Sequence, residues 1–119
     1  MSLVDRIVSL LHPGLLPKDP HWRRANRRSP LAGHCYIASE SLFWLSGGRN
    51  SGLVPQVMRV GGRTHWFLKD RAGRIIDPTA GQFRRTPDYR RARGCGFLTA
   101  RPSRRAQEII DKLGANREG

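Results

Sequence analysis

VPQVMRVGGRTHWFLKDRAGRIID, residues 54–77, decides the fold. Residues 54–60 alternate apolar and polar side chains, the period of a half-buried strand. Gly61-Gly62 follows, a two-residue hairpin turn, because glycine accepts the positive φ that such turns need. THWFLKD, residues 64–70, makes a second strand, DRAG the next turn, and RIID, residues 74–77, a third strand. The stretch predicts a three-stranded antiparallel meander.

A meander with one apolar face needs something to cover it. The nearest candidate is GHCYIASESLFWL, residues 33–45. It reads as a helix that starts near Cys35 and stops at Gly47-Gly48. Ile37, Leu42 and Leu45, with Phe43, make it mostly buried. Ala38 and Ser41 are small enough to let it lie close to a sheet. An Arg49–Gly52 loop follows.

Further out, residues 2–12 carry a helical stripe (Leu3, Val4, Ile7, Val8, Leu10, Leu11) capped by Ser2. PGLLPKDP, residues 13–20, reads as an extended connector, since proline lacks a donor and disfavours helix before it. Residues 78–96 are poor in apolar residues and predict a surface loop anchored by Phe83 and Tyr89. Phe97–Thr99 predicts a short edge strand. Ser103 caps a last helix with Ala106, Ile109, Ile110 and Leu113 inward and Gly114 ending it, and residues 115–119 fray. The expected fold is α+β, with N- and C-terminal helices and the Cys35 helix packed on a three-stranded or larger antiparallel sheet. A length of 119 residues suits one domain with one core. Its parts are residues 1–30 (helix and basic connector), 31–100 (core) and 101–119 (last helix and tail).

Composition narrows the function classes. No apolar run is long enough to span a membrane. The N-terminus has Asp5 and Arg6 inside its apolar stripe, unlike a secretion signal, and two cysteines are too few for a disulfide framework. A reduced, cytoplasmic chain is expected; a Cys35–Cys95 bridge would require export. The net charge is +13. It suits an anionic partner: nucleic acid, a phosphate-bearing or acidic substrate, or a membrane surface. Trp22, Arg23, Arg24, Arg27 and Arg28 are the candidate nucleic-acid or anion contacts, with the arginines of residues 84–93 behind them. A solvated loop pinned by its tryptophan has the same composition. Only three of the 22 basic residues are lysine, and an arginine bias of that kind also arises from a GC-rich genome.

The chemistry-bearing residues fall on the predicted elements in a telling order. Cys35 stands at a helix N-terminus, where unpaired N–H groups and the helix dipole favour a thiolate. His65 lies on the second strand and Asp77 ends the third. If Lys69 pairs with Gly73, His65 stands directly opposite Asp77, at cross-strand distance. An odd shift of register would break that pairing. A thiol, a base and an orienting carboxylate then meet in chain order, with the Cys35 backbone N–H available to an oxyanion. Taken singly, a cysteine in an apolar helix is a small core residue, a strand histidine is structural, and an Asp before Pro is a turn residue.

Gly33-His34-Cys35, Thr64-His65-Trp66 and Ile76-Asp77-Pro78-Thr79 resemble the papain-like superfamily in its bacterial arrangements, the transglutaminase-like and NlpC-type enzymes. The likeness covers about residues 30–80. It implies a minimal papain-like core and thiol-dependent acyl transfer, amide hydrolysis or ester hydrolysis through a covalent thioester. By that pattern Cys35 is the nucleophile, His65 the base and acid, and Asp77 orients His65; no cofactor is implied, and the substrate is a peptide or other acyl compound. No glutamine precedes the cysteine as an oxyanion donor. Gln82, His34 and Trp66 are the candidates for oxyanion or substrate contact. Two other readings compete. One is a basic nucleic-acid-binding module on a non-catalytic papain-like fold. The other is a metal site from His34, Cys35, His65, Asp77 and Cys95, which lacks the close ligand pairs of zinc sites. A basic rim around a thiol site would steer an anionic or macromolecular substrate such as an acidic protein. A small, arginine-rich domain of this sort also suits a phage or mobile element.

Overall fold

The structure, a computed structural model, describes residues 2–16 and 33–118, with side chains to residue 114. Three helices and a four-stranded antiparallel sheet form an α+β fold. Helix α1 spans Leu3–Ser9, α2 Cys35–Leu45 and α3 Arg104–Glu118; strands β1 Val54–Val60, β2 Arg63–Lys69, β3 Ile75–Ile76 and β4 Arg93–Gly94 are ordered β3-β2-β1-β4.

The central hairpin follows the sequence closely. Val60 pairs with Arg63 and Val54 with Lys69. Gly61 and Gly62 both take positive φ, 59° and 79°. A side chain at either position would strain the turn that sets this register. At the other end of β2 the structure departs from expectation. Lys69 pairs with Ile75, not Gly73, and Leu68 with Ile76. The turn is longer because Asp70 organises it: Asp70 Oδ1 accepts from the backbone N–H groups of Ala72 and Arg74. Continued to Asp77, this register sets that residue opposite Phe67 and diagonal to His65. The shift is two residues, so the face is kept although direct pairing is lost.

Helix α2 is buried from Cys35 to Phe43 apart from Tyr36, which is half-buried. Ile37, Ala38, Leu42 and Phe43 join Ile7 and Leu15 from the N-terminal segment, Leu68 from β2, and Ile109 and Leu113 from α3 in one core. Covering an aliphatic side chain of this size stabilises the fold by roughly 1.5–3 kcal/mol. Two polar links fix α2 within this core. Ser39 Oγ donates to the Trp66 carbonyl at 3.2 Å, which ties the helix to β2. Glu40, fully buried, accepts from the Ser103 backbone N–H at 2.7 Å and from Ser103 Oγ at 2.6 Å. Ser103 Oγ in turn accepts from Ala106 N. The expected N-cap of α3 is therefore also its anchor to α2.

Several local expectations are corrected. Helix α1 is shorter than residues 2–12, though Ser2 does cap it, in a reciprocal box with Asp5. Pro13–Leu15 is a short 3-10 turn, not extended chain. The fourth strand is Arg93–Gly94, inside the stretch read as surface loop, and Phe97–Thr99 is not a strand. Phe97 instead packs edge-on against Tyr36 and Phe43 and stacks on Trp66. It serves as an aromatic plug between α2 and β2. Helix α3 continues through Gly114 to Glu118. No helix among the described residues is long and apolar enough to cross a membrane. The basic connector with Trp22, Arg23, Arg24, Arg27 and Arg28 lies outside the described residues.

Candidate active site

His65 Nε2 lies 2.7 Å from Asp77 Oδ2. Both side chains are 3% exposed. A charged pair taken this far from water is stable only if its remaining lone pairs and protons are satisfied. Asp77 meets that condition. Its Oδ2 also accepts from the Tyr89 hydroxyl at 2.8 Å, and its Oδ1 from the Thr79 backbone N–H at 3.2 Å. The last contact closes an Asx turn, which gives the Asp77-Pro78-Thr79 sequence its physical reason. Thr79 is itself fully buried, and its Oγ1 accepts from Gln82 Nε2 at 2.9 Å.

Aromatic rings shield the pair. Phe83 meets the His65 ring edge-on at 4.8 Å, and Phe67 stacks beside it at 6.0 Å. Phe67 also holds Tyr89, whose ring lies 4.8 Å away. β2 thus supplies both the histidine and, two residues on, part of its apolar wall, as strand alternation requires.

Cys35 is 7% exposed and opens α2. Gly33, at φ 85°, turns the chain into that helix. Cys35 and His65 line one small cavity of about 80 Å³ with Val60, Arg63, Thr64, Gln82 and Phe83. The Cys35 side chain also bears on the His65 ring, favouring its protonated form.

The charge state of His65 follows from these contacts. Burial is the largest single influence and lowers the imidazole's affinity for a proton. Asp77, and after it Cys35, outweigh it, and the ring is pushed up to about 9. His65 therefore carries a proton at neutral pH. Burial and then the Asp77 contact hold the Tyr89 hydroxyl well above the usual phenol range, so it remains a donor.

The other expected site residues part company. Gln82 lines the cavity. His34 does not line it. It is 1% exposed, and its Nε2 contacts the His12 carbonyl at 2.9 Å, a link between the start of α2 and the N-terminal segment. Trp66 faces the opposite side of β2 from His65, packed against Tyr36 and Phe97. Both cysteines are free, and Cys95 donates to the Gly96 carbonyl beyond the cavity's lining. Among the described residues no three His, Cys, Asp or Glu side chains gather as metal ligands. Sequence reading treats Tyr89 only as a loop anchor and so misses its hold on Asp77. The available signal is a lone tyrosine in a polar loop just past the candidate carboxylate.

Compared with protein-family models, with curated proteins and with solved structures, the chain gives no match.

Proposed function

We propose that the chain is a cysteine-dependent acyl hydrolase or acyltransferase with a minimal papain-like core. The observation that carries this reading is the buried His65–Asp77 pair, with Cys35 on the same small cavity as that imidazole. A structural histidine needs neither an oriented carboxylate on one nitrogen nor a thiol at a helix start on the same cavity.

The chemistry runs as follows. With the proton of the pair on His65 at neutral pH, Sγ attacks the carbonyl carbon of an amide or ester as the thiolate. Charge that develops on the carbonyl oxygen is met by first-turn N–H groups of α2, which have no partner within the helix. Gln82, whose amide is steadied by Thr79, stands on the same cavity as a further donor. His65 returns its proton to the leaving amine or alcohol, and a thioester remains on Cys35. Water or an acceptor amine then attacks the thioester, giving its proton to His65, and Cys35 Sγ leaves, which restores the starting pair. Asp77 keeps the ring in the tautomer and orientation both steps use, and Tyr89 and Thr79 keep Asp77 in place.

The test is to trap the thioester. Incubation with p-nitrophenyl esters should add one acyl mass to Cys35, removable by neutral hydroxylamine, and the Cys35→Ser chain should gain none. An adduct that forms equally on Cys95, or equally in His65→Ala, would count against the reading.

A further inference from the structure

Strand β4 is two residues long and covers β1 only opposite Gln56 and Val57. Beyond Val57 the outer edge of β1 continues to Val60. Pro55 accepts from Cys95 N on that edge, so by strand alternation the N–H and C=O of Arg59 face it too. Among the described residues no backbone hydrogen bond covers them. An open groove of about 860 Å³ lies at this place. Its walls are the guanidinium residues Arg59, Arg91 and Arg93 and the apolar Val57, Trp66 and Leu98, with no carboxylate among its lining residues. Arg59 donates to the Gly62 carbonyl, which holds it beside the hairpin. Among the described residues none of the three arginines is in an ion pair; the nearby Asp88 is paired with Arg90 and also feels the charge of Arg91.

We propose that this groove binds an extended acidic peptide segment, which pairs with the free edge of β1 at Arg59 and places carboxylates on Arg91 and Arg93. The combination is one of strand-edge pairing with charge complementarity. Two observations favour peptide over nucleic acid. Single-stranded nucleic acids bind by stacking bases on open aromatic faces. Here Trp66 is 9% exposed, its ring covered by Phe97 and Tyr36, so the groove offers no such platform. The rim is aliphatic instead, with Leu98 83% exposed. The groove also shares Thr64 with the Cys35–His65 cavity, and the two flank the same hairpin. As a substrate-binding element the groove rests on the acyl-transfer reading; as an acidic-peptide site it does not.

The experiment measures binding of a fluorescein-labelled oligoglutamate peptide by anisotropy to the Cys35→Ala chain, so that no turnover is needed. Arg91→Ala/Arg93→Ala should raise Kd about tenfold or more, while the equal charge loss in Arg104→Ala/Arg105→Ala should leave it within about twofold. Arg93→Glu, which keeps the β4 backbone pairing to Val57, is the second variant and should weaken binding at least as much. Equal weakening by both double alanine variants would overturn the proposal, because it would mean diffuse attraction to a basic surface. So would tighter binding of a single-stranded oligonucleotide of equal charge, displaceable by the same peptide. The thiol reading fails separately, on Cys35 reactivity in the unmodified chain.

Discussion

His65 and Asp77 are diagonal neighbours across β2 and the end of β3, joined Nε2 to Oδ2 at 2.7 Å with almost no access to water. The histidine's protonation and the folded state's pH response hang on this contact.

Removing the charge of Asp77 should lower the affinity of His65 for its proton. Asp77→Asn leaves an oxygen to accept from the ring but takes away the negative charge, and burial then prevails. A titration of the His65 ring by NMR should show the transition fall from about 9 to below the ordinary histidine value of about 6.5. A transition that stays where it was would mean that Asp77 does not control the ring.

Stability should fall as the solution is made alkaline. The folded-state value of His65 is raised to about 9, against about 6.5 in the unfolded chain. Below the lower value both states are protonated and the pair contributes fully. Between the two values the unfolded state gives up its proton first, so the contribution is lost as pH rises and is gone above the folded value. The loss amounts to about 3 kcal/mol. Urea unfolding midpoints across this window measure it, and in His65→Ala the slope should flatten.

Tyr89→Phe removes one hydroxyl donor from Asp77 Oδ2 and keeps the ring on Phe67. A hydrogen bond to a charged, buried acceptor is worth about 1.5–3 kcal/mol. Denaturant unfolding should show a loss of that size. The His65 transition should move up, because a carboxylate with fewer donors attracts the imidazolium proton more strongly.

Glu40 and Ser103 give a prediction about the scaffold. Glu40→Ala leaves the Ser103 N–H and hydroxyl without their buried acceptor, and leaving such groups unsatisfied costs about 1–3 kcal/mol. Glu40→Gln, which keeps an acceptor, should cost clearly less. Thermal unfolding of the two variants separates the outcomes. Equal losses would mean that the carboxylate acts only as filler between α2 and α3.

Much of this arrangement is legible in the sequence, and the exceptions have physical causes. The hairpin is legible because alternation and a Gly-Gly turn act over a few residues. The Cys35 helix is legible through its apolar run and its glycine stop. The β2–β3 register is not, because Asp70 lengthens the turn by side-chain hydrogen bonds that no periodicity reveals. Strand β4 is missed because Arg93 and Gly94 have no strand character of their own; β1 recruits them. Phe97 is misplaced because its partners Tyr36, Phe43 and Trp66 are distant in sequence. The site follows the same division. Cys35, His65 and Asp77 can be chosen by residue type and element, whereas Tyr89 becomes visible only when the loop after β3 folds back over Phe67.

The most direct measurement compares the two thiols of the native chain. Cys35 is 7% exposed and buried, and Cys95 is the more accessible. Accessibility alone makes Cys95 the faster to react. A nucleophile activated by His65 reverses the order: iodoacetamide near neutral pH should modify Cys35 first, with His65→Ala slowing it by about 100-fold or more, the usual scale of a positioned base. Modification of Cys95 ahead of Cys35, or a Cys35 rate indifferent to His65, would contradict the thiol-dependent reading.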